Sequence, residues 1–229
     1  MADVRMRIFN QDGSEGENCG NGLRCVGKYV YDTGLVNKER LDVETKAGIM
    51  HLVLHVSDIA HKVEEVTVDM GEPRLSRGQI PVQTGDPHEM ALSDVIDVSG
   101  LPMTFTGVSM GNPHAVFFVE DVNQVDVAAV GPLIEYHQVF PNRVNAEFVA
   151  QKSAKELDFR VWERGSGITQ ACGTGACASV VAAVLTKRVN RGDEVLVHLL
   201  GGDLRIRYSE DGHVYMRGPA TWICQGEWL

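Results

Sequence analysis

Apolar and polar positions alternate over many short runs of this chain, and only twice do apolar residues recur at helical spacing. Residues 52–56, 63–70, 115–119, 144–149, 157–162, 194–199, 204–208, 214–217 and 222–224 carry β-branched or aromatic side chains, mostly near Gly, Pro, Asn or Asp. That pattern predicts a mostly antiparallel β protein. The exceptions are 22–31, where Leu23, Val26 and Val30 share one face, and 175–187, where Ala178, Val181 and Val184 do. Both predict helices, ending near Gly34 and near Asn190-Arg191-Gly192. A break falls at Gly71-Glu72-Pro73, and a polar run covers 83–88.

The two helical segments begin alike. Cys19-Gly20-Asn21-Gly22-Leu23-Arg24-Cys25 is echoed by Cys172-Gly173-Thr174-Gly175-Ala176-Cys177. A repeated supersecondary start of this kind predicts two related halves. Each places a thiol and several backbone N–H groups at a helix N-terminus, where negative charge is favoured. The positive end of the helix dipole lowers a thiol pKa, so both cysteines are expected as usable bases. The glycines permit positive φ or close backbone approach.

Composition narrows the chemistry. With 44% hydrophobic and 23% charged residues over 229 positions, the chain can bury a core. Its net charge of -10 makes nucleic acid and anionic membrane poor partners. No apolar run approaches the roughly 20 residues of a membrane span, and the start lacks a signal-peptide pattern, so a cytoplasmic setting is expected. Five cysteines are too few and too odd in number for a disulfide scaffold. Cys172 and Cys177 would sit about 140° apart around a helix and Cys19 and Cys25 about 120°, so neither pair closes on one zinc ion. Cys25, Cys177 and Cys224 are expected in the core. A Cys-x-x-Cys redox pair is absent. Two thiols at separate helix starts instead suit removing a proton from one face of a carbon and delivering another to the opposite face.

Five blocks, in order and covering nearly the whole chain, resemble the diaminopimelate epimerase family: 9–15, 19–25, 111–115, 143–148 and 163–176. The resemblance implies an α/β (α+β) fold of two pseudo-symmetric halves, each a mostly antiparallel strand barrel around a central helix. The expected halves are 1–72, completed by 218–229, and 73–217. It implies a cofactor-independent, metal-free isomerase that interconverts LL- and meso-diaminopimelate in lysine and peptidoglycan-precursor synthesis, as a homodimer. By that likeness Cys19 and Cys172 are the acid/base thiols, titrating as a coupled pair. Gly20, Asn21, Gly173 and Thr174 would hold the reacting carboxylate through backbone N–H groups. Glu163 would pair with the ammonium on the reacting carbon, and His114 would tune the thiols. Asn10, Asn112, Asn145 and Arg164 would hold the distal end of the substrate, Arg164 through its planar fork. Read alone, His114 and the three asparagines are equally ordinary turn or strand-end residues. The other seven histidines match no motif and are expected to face solvent.

Family members begin with a further segment carrying His-Gly-x-Gly-Asn-Asp-Phe-like and Gly-Ala-Asp-Gly-like blocks, and neither occurs here. The first half is therefore expected to be incomplete, and the chain destabilised and weakly active or inactive. The alternatives are a non-catalytic remnant, a proline racemase-like enzyme and a thiol oxidoreductase.

Overall fold

A computed structural model describes residues 2–9, 13, 15, 16 and 19–227. The chain forms two compact units, one of Met1–Asp69 with Arg217–Leu229 and one of Met70–Met216. Both are α+β.

In the smaller unit, β1 (Val4–Arg5) is followed by α1 (Gly20–Asp32), β2 (Arg40–Thr45), β3 (Gly48–Val56) and β4 (Val63–Asp69). Strands β2, β3 and β4 form an antiparallel meander, and β1 lies parallel to β2. A parallel pair needs a crossover connection, and here α1 supplies it. Leu23, Gly27 and Val30 form the buried stripe of α1. Gly27 permits close approach to the sheet, since a Cβ there would stand 2.9 Å from Leu54 Cδ2 and 3.1 Å from Leu52 Cδ2. Along β2, Leu41, Val43 and Thr45 point inward at every second position, as one buried sheet face requires. The C-terminal segment returns to this unit: Arg217 pairs with Glu65, and Trp222 donates to Asp32 Oδ2 at 3.2 Å. Residues 222–224, expected as a strand, are irregular, and side chains rather than a ladder hold them. Cys25 and Cys224 are exposed, contrary to expectation, while Cys177 is buried. Two residues past Leu23, Cys25 falls about 200° around the helix from it, away from the sheet.

The larger unit runs β5 (Asp94–Val98), β6 (Leu101–Ser109), β7 (Pro113–Phe118), α2 (Val127–Glu135), β8 (Asn145–Ser153), β9 (Glu156–Glu163), β10 (Gly167–Ile168), α3 (Gly173–Leu185), β11 (Glu194–Leu199) and β12 (Gly202–Tyr208). The last strand, β13 (Val214–Pro219), begins in this unit. The strands lie in the order β13-β12-β11-β9-β8-β7-β6-β5, with β10 on β9. Pairing is antiparallel in most of the ladder and parallel at β7/β8 and β9/β11. Those two parallel pairs flank α2 and α3, so each of α1, α2 and α3 is part of the crossover between two parallel neighbours. From Gly175 to Ala183 every residue of α3 is buried, and the helix packs against β6, β7, β8 and β12. A helix buried on all sides needs the small, apolar sequence that 175–183 provides. A second core holds Phe105, Phe117, Phe140 and Phe148, with ring centroids 5.2 to 5.9 Å apart along the chain of contacts.

The alternation pattern missed β1, β2, β5, β6, β10 and the helix α2. In α2, Gly131 and Pro132 both disfavour a helix interior, and no polar face marks it. It is held instead by its cap, Asp126 accepting from Ala129 N at 3.1 Å, and by close packing on β9. A Cβ on Gly131 would lie 2.5 Å from Cγ and 2.7 Å from Cβ of Trp162. Alanine would gain about 1 kcal/mol of helix propensity. Overpacking against an anchored indole costs about 1–3 kcal/mol, and the anchored Cβ atom cannot yield. Gly131→Ala is therefore expected to destabilise the protein by up to about 2 kcal/mol in urea unfolding. A gain in stability would show that α2 does not sit this close to β9.

Candidate active site

Both helices that follow the repeated motif start on a sulfur atom. Cys19 is the N-cap of α1, with extended backbone (φ -149°), and its Sγ accepts from Gly22 N at 3.4 Å. Cys172 is the N-cap of α3 (φ -121°), and its Sγ accepts from Gly175 N at 3.3 Å. Ser, Thr, Asp and Asn normally fill this position. Gly20 and Asn21 in α1, and Gly173 and Thr174 in α3, occupy the first turn, whose N–H groups have no intrahelical acceptor. Neither first turn carries an acidic side chain.

The two caps differ in burial. Cys19 is half-buried, whereas Cys172 is 6% exposed. Burial, reinforced by the nearby carboxyls of Glu163 and Glu147, pushes the Cys172 thiol well above its ordinary range. The Thr174 hydroxyl and the Gly175 N–H act the other way and are outweighed. The sequence expectation of a helix-lowered thiol therefore fails at Cys172, because desolvation of a thiolate exceeds the help from a helix terminus. At rest Cys172 carries its proton.

His114 lies in β7 with no exposed surface, so it is not the turn histidine that its Asn-Pro neighbours suggest. Its Nδ1 is 2.7 Å from Glu147 Oε1, and its Nε2 is 3.0 Å from Asn112 Oδ1. Asn112 Nδ2 donates to Thr174 Oγ1 at 3.3 Å, and Thr174 Oγ1 lies 3.5 Å from Cys172 Sγ. The His114–Glu147 contact has the length of an ion pair, yet burial pushes both partners toward their neutral forms. Burial takes the His114 pKa down to about 3, against the pull of Glu163 and with a smaller push from Arg164. Burial, then the Glu163 charge, raises Glu147 well above the carboxylate range. Glu147 was not singled out from the sequence. A glutamate inside the apolar run 144–150 is the signal that marks it.

Glu163 ends β9 and accepts a hydrogen bond from the Thr169 hydroxyl. The turn after it is pinned from two sides. Asn145 Oδ1 accepts from Arg164 N at 2.9 Å while Asn145 Nδ2 donates to Pro113 O at 2.7 Å. Buried Glu135, also unmarked by sequence, accepts from Gly165 N at 3.0 Å and from Trp162 Nε1 at 2.7 Å. The Arg164 side chain is exposed and rests one N–H on Asn142 O at 3.1 Å. The larger unit thus gathers Cys172, Thr174, Asn112 and His114 in one chain and Asn145, Glu163 and Arg164 around one turn. Asn21 accepts from Arg24 at 2.9 Å in the smaller unit, and Asn10 lies outside the described residues. Among the described residues no three His, Cys, Asp or Glu side chains converge as a metal site would.

The buried pair makes stability depend on pH with a definite sign. The ordinary values are 6.5 for histidine and 4.5 for glutamate. Between them the unfolded chain protonates His114 and ionises Glu147 while the folded chain does the reverse, so proton counts match and the contribution is flat. Above 6.5 the folded form alone keeps the Glu147 proton, and stability falls as pH rises. Below 4.5 the folded form alone leaves His114 uncharged, and stability falls as pH drops toward 3. Glu147→Gln removes the alkaline limb. Its stability relative to wild type should rise with pH, by up to about 1.4 kcal/mol per unit, from above 6.5 until Glu147 itself ionises, in urea unfolding. A pH-independent difference would mean that Glu147 is ionised in the folded protein.

Residues 1–76 and 106–223 match the family described as Diaminopimelate epimerase. The diaminopimelate epimerase of Oceanobacillus iheyensis is 51% identical over 225 residues, 98% of this chain and 78% of that protein. That of Geobacillus kaustophilus is 52% identical, again over 98% of this chain and 77% of the relative. Among solved structures, a probable proline racemase from Agrobacterium radiobacter K84 superposes with a TM-score of 0.70 at 16% identity, covering 95% of this chain and 69% of that one. The last likeness concerns the fold alone. Identity of this order to named epimerases makes the protein an isomerase. With its matched sulfur caps and its family blocks in order, the chain belongs to the diaminopimelate epimerase family.

Proposed function

We propose that the chain interconverts LL- and meso-diaminopimelate by moving one α-proton, with Cys19 and Cys172 as the acid/base pair and no cofactor. The observation that carries this reading is the same sulfur cap at the start of two helices, 3.4 and 3.3 Å from the third-position amide in each. In one direction the Cys19 thiolate takes the α-hydrogen, and the C–H electron pair moves into the substrate carboxylate. The Cys172 S–H then gives its proton to the opposite face and becomes the thiolate. The reverse reaction exchanges the roles. Cys172 is suited to begin as the acid because burial keeps it protonated.

The backbone N–H groups of Gly20, Asn21, Gly173 and Thr174 receive the carboxylate as its charge grows, so they stabilise the carbanion more than the ground state. Glu163 pairs with the ammonium on the reacting carbon. Arg164, with all but one of its N–H groups free of the Asn142 carbonyl, takes the distal carboxylate together with Asn10 and Asn112. Asn145 has one Nδ2–H left for substrate after its bonds to Pro113 and Arg164, so most of its work is to shape the turn. His114 has no exposed surface and acts through Asn112 rather than on substrate. A cytoplasmic homodimer serving lysine and peptidoglycan-precursor synthesis is the setting that the family relationship supports. Among the described residues no helix is long and apolar enough to cross a membrane.

Incubation with LL-diaminopimelate in deuterated water should place deuterium at the α-carbon and yield the meso isomer. Cys19→Ala and Cys172→Ala should each lower kcat by about a hundred- to ten-thousandfold while leaving the melting transition in place. Turnover of proline in place of diaminopimelate would overturn the substrate assignment, and full activity in either alanine variant would overturn the mechanism.

A further inference from the structure

Glu147 sits on β8 with 0% exposure, directly under the first turn of α3. A Cβ on Gly175 would be 2.9 Å from Glu147 Oε1 and 3.2 Å from Cys172 Sγ, so a bare glycine separates carboxyl from sulfur. Oε1 meets His114 Nδ1, and the buried Oε2 has no hydrogen-bond partner. An ionised carboxylate there would keep one charged oxygen without a hydrogen bond, and its own backbone N–H does not outweigh the burial. A neutral acid asks only for one acceptor for its O–H.

The partners further along settle where the protons are. Asn112 presents Oδ1 to His114 Nε2 and Nδ2 to Thr174 Oγ1. An amide oxygen only accepts, so Nε2 must carry the imidazole proton. With burial holding the imidazole neutral, Nδ1 is bare, and the group 2.7 Å from it is a donor, which makes Glu147 Oε1 an O–H. At the other end Thr174 Oγ1 accepts from Asn112, which leaves its single proton free to turn to Cys172 Sγ at 3.5 Å once that sulfur has lost its own proton. Every bond in the row can then donate in the same direction, from Glu147 to His114, to Asn112, to Thr174 and to the sulfur.

We propose that Glu147 is a positioning residue that, as a buried neutral acid, fixes the direction of this hydrogen-bond chain so that it ends in a donor on the Cys172 sulfur. The inference rests on the two-thiol reading and deepens it. When Cys172 yields its proton, the new thiolate finds two donors already aimed at it, the Gly175 N–H and the Thr174 O–H. Such donors stabilise the charged product of the step more than the resting thiol. Reversed polarity would turn the Thr174 lone pair toward the sulfur and favour the thiol instead. Glu147 touches no substrate and acts only through its neighbours.

The test compares wild type, Glu147→Gln and Glu147→Met in the intact protein. Glutamine presents an N–H where the acid presented its O–H, whereas methionine fills the space with no donor. Long-range 1H–15N spectra should show His114 protonated at Nε2 and bare at Nδ1 in wild type and in Glu147→Gln. The rate of Cys172 alkylation by iodoacetamide, followed by peptide mass spectrometry, should keep its pH profile in Glu147→Gln. In Glu147→Met it should move about one pH unit higher, which is about tenfold less thiolate at a given pH. Turnover should follow the same order, with kcat about tenfold lower in Glu147→Met, KM nearly unchanged, and most of the rate retained in Glu147→Gln. Protonation of wild-type His114 at Nδ1, or at both nitrogens, would overturn the proposal. So would a loss in Glu147→Gln as large as in Glu147→Met. The spectra and the alkylation need no substrate, so they decide this proposal even if diaminopimelate is not turned over, which would sink only the substrate assignment.

Discussion

A sulfur atom that accepts the third amide of a helix is the interaction on which the rest of the molecule depends. It fixes Cys19 and Cys172 at the tips of α1 and α3, with the N–H groups of Gly20, Asn21, Gly173 and Thr174 beside them. The cap works only if nothing crowds the sulfur. At Gly175 even a methyl group would press on Cys172 Sγ, Glu147 Oε1 and Phe159 at once. Gly175 is there for space at the sulfur, which is a tighter demand than a turn makes, whereas a Cβ on Gly22 would meet Cys19 at an ordinary 3.5 Å.

Identical caps do not make identical thiols. Cys172 caps a helix buried on every side, and two carboxyls lie close enough to oppose its ionisation. Cys19 caps a helix with one buried stripe and is itself partly open. Behind its cysteine the larger unit sets a buried hydrogen-bonded pair, His114 and Glu147, joined to the sulfur through Asn112 and Thr174.

Much of this was legible from sequence. The repeated Cys-Gly-x-Gly blocks gave both helix starts to within two residues, and the period-two runs gave β3, β4, β7, β8, β9, β11, β12 and β13 in part or whole. What stayed hidden has physical reasons. Strand β6 is buried along its second half and so shows no alternation, while β5 is too short to stand out. The helix α2 contains Gly131 and Pro132, and packing on Trp162 overrides their local preference. Cysteine is so often buried that composition points Cys25 and Cys224 to the core, but the helix face and the irregular C-terminal segment leave them exposed. At the site, motif blocks marked the residues that face the chemistry, while Glu135 and Glu147 sat in runs that read as ordinary core. A buried acid is visible in sequence only as a charge in the wrong place, and its partners are visible only once the strands are paired.

The central claim is that two different thiols handle the two faces of one carbon. Its most direct test is the fate of solvent deuterium early in the reaction, started separately from LL- and from meso-diaminopimelate. Two thiols require deuterium in the epimerised product and none in the recovered starting isomer, because the group that removes hydrogen is not the group that delivers it. Equal labelling of product and recovered substrate from the first turnover would mean that a single base serves both faces, and the account would be wrong.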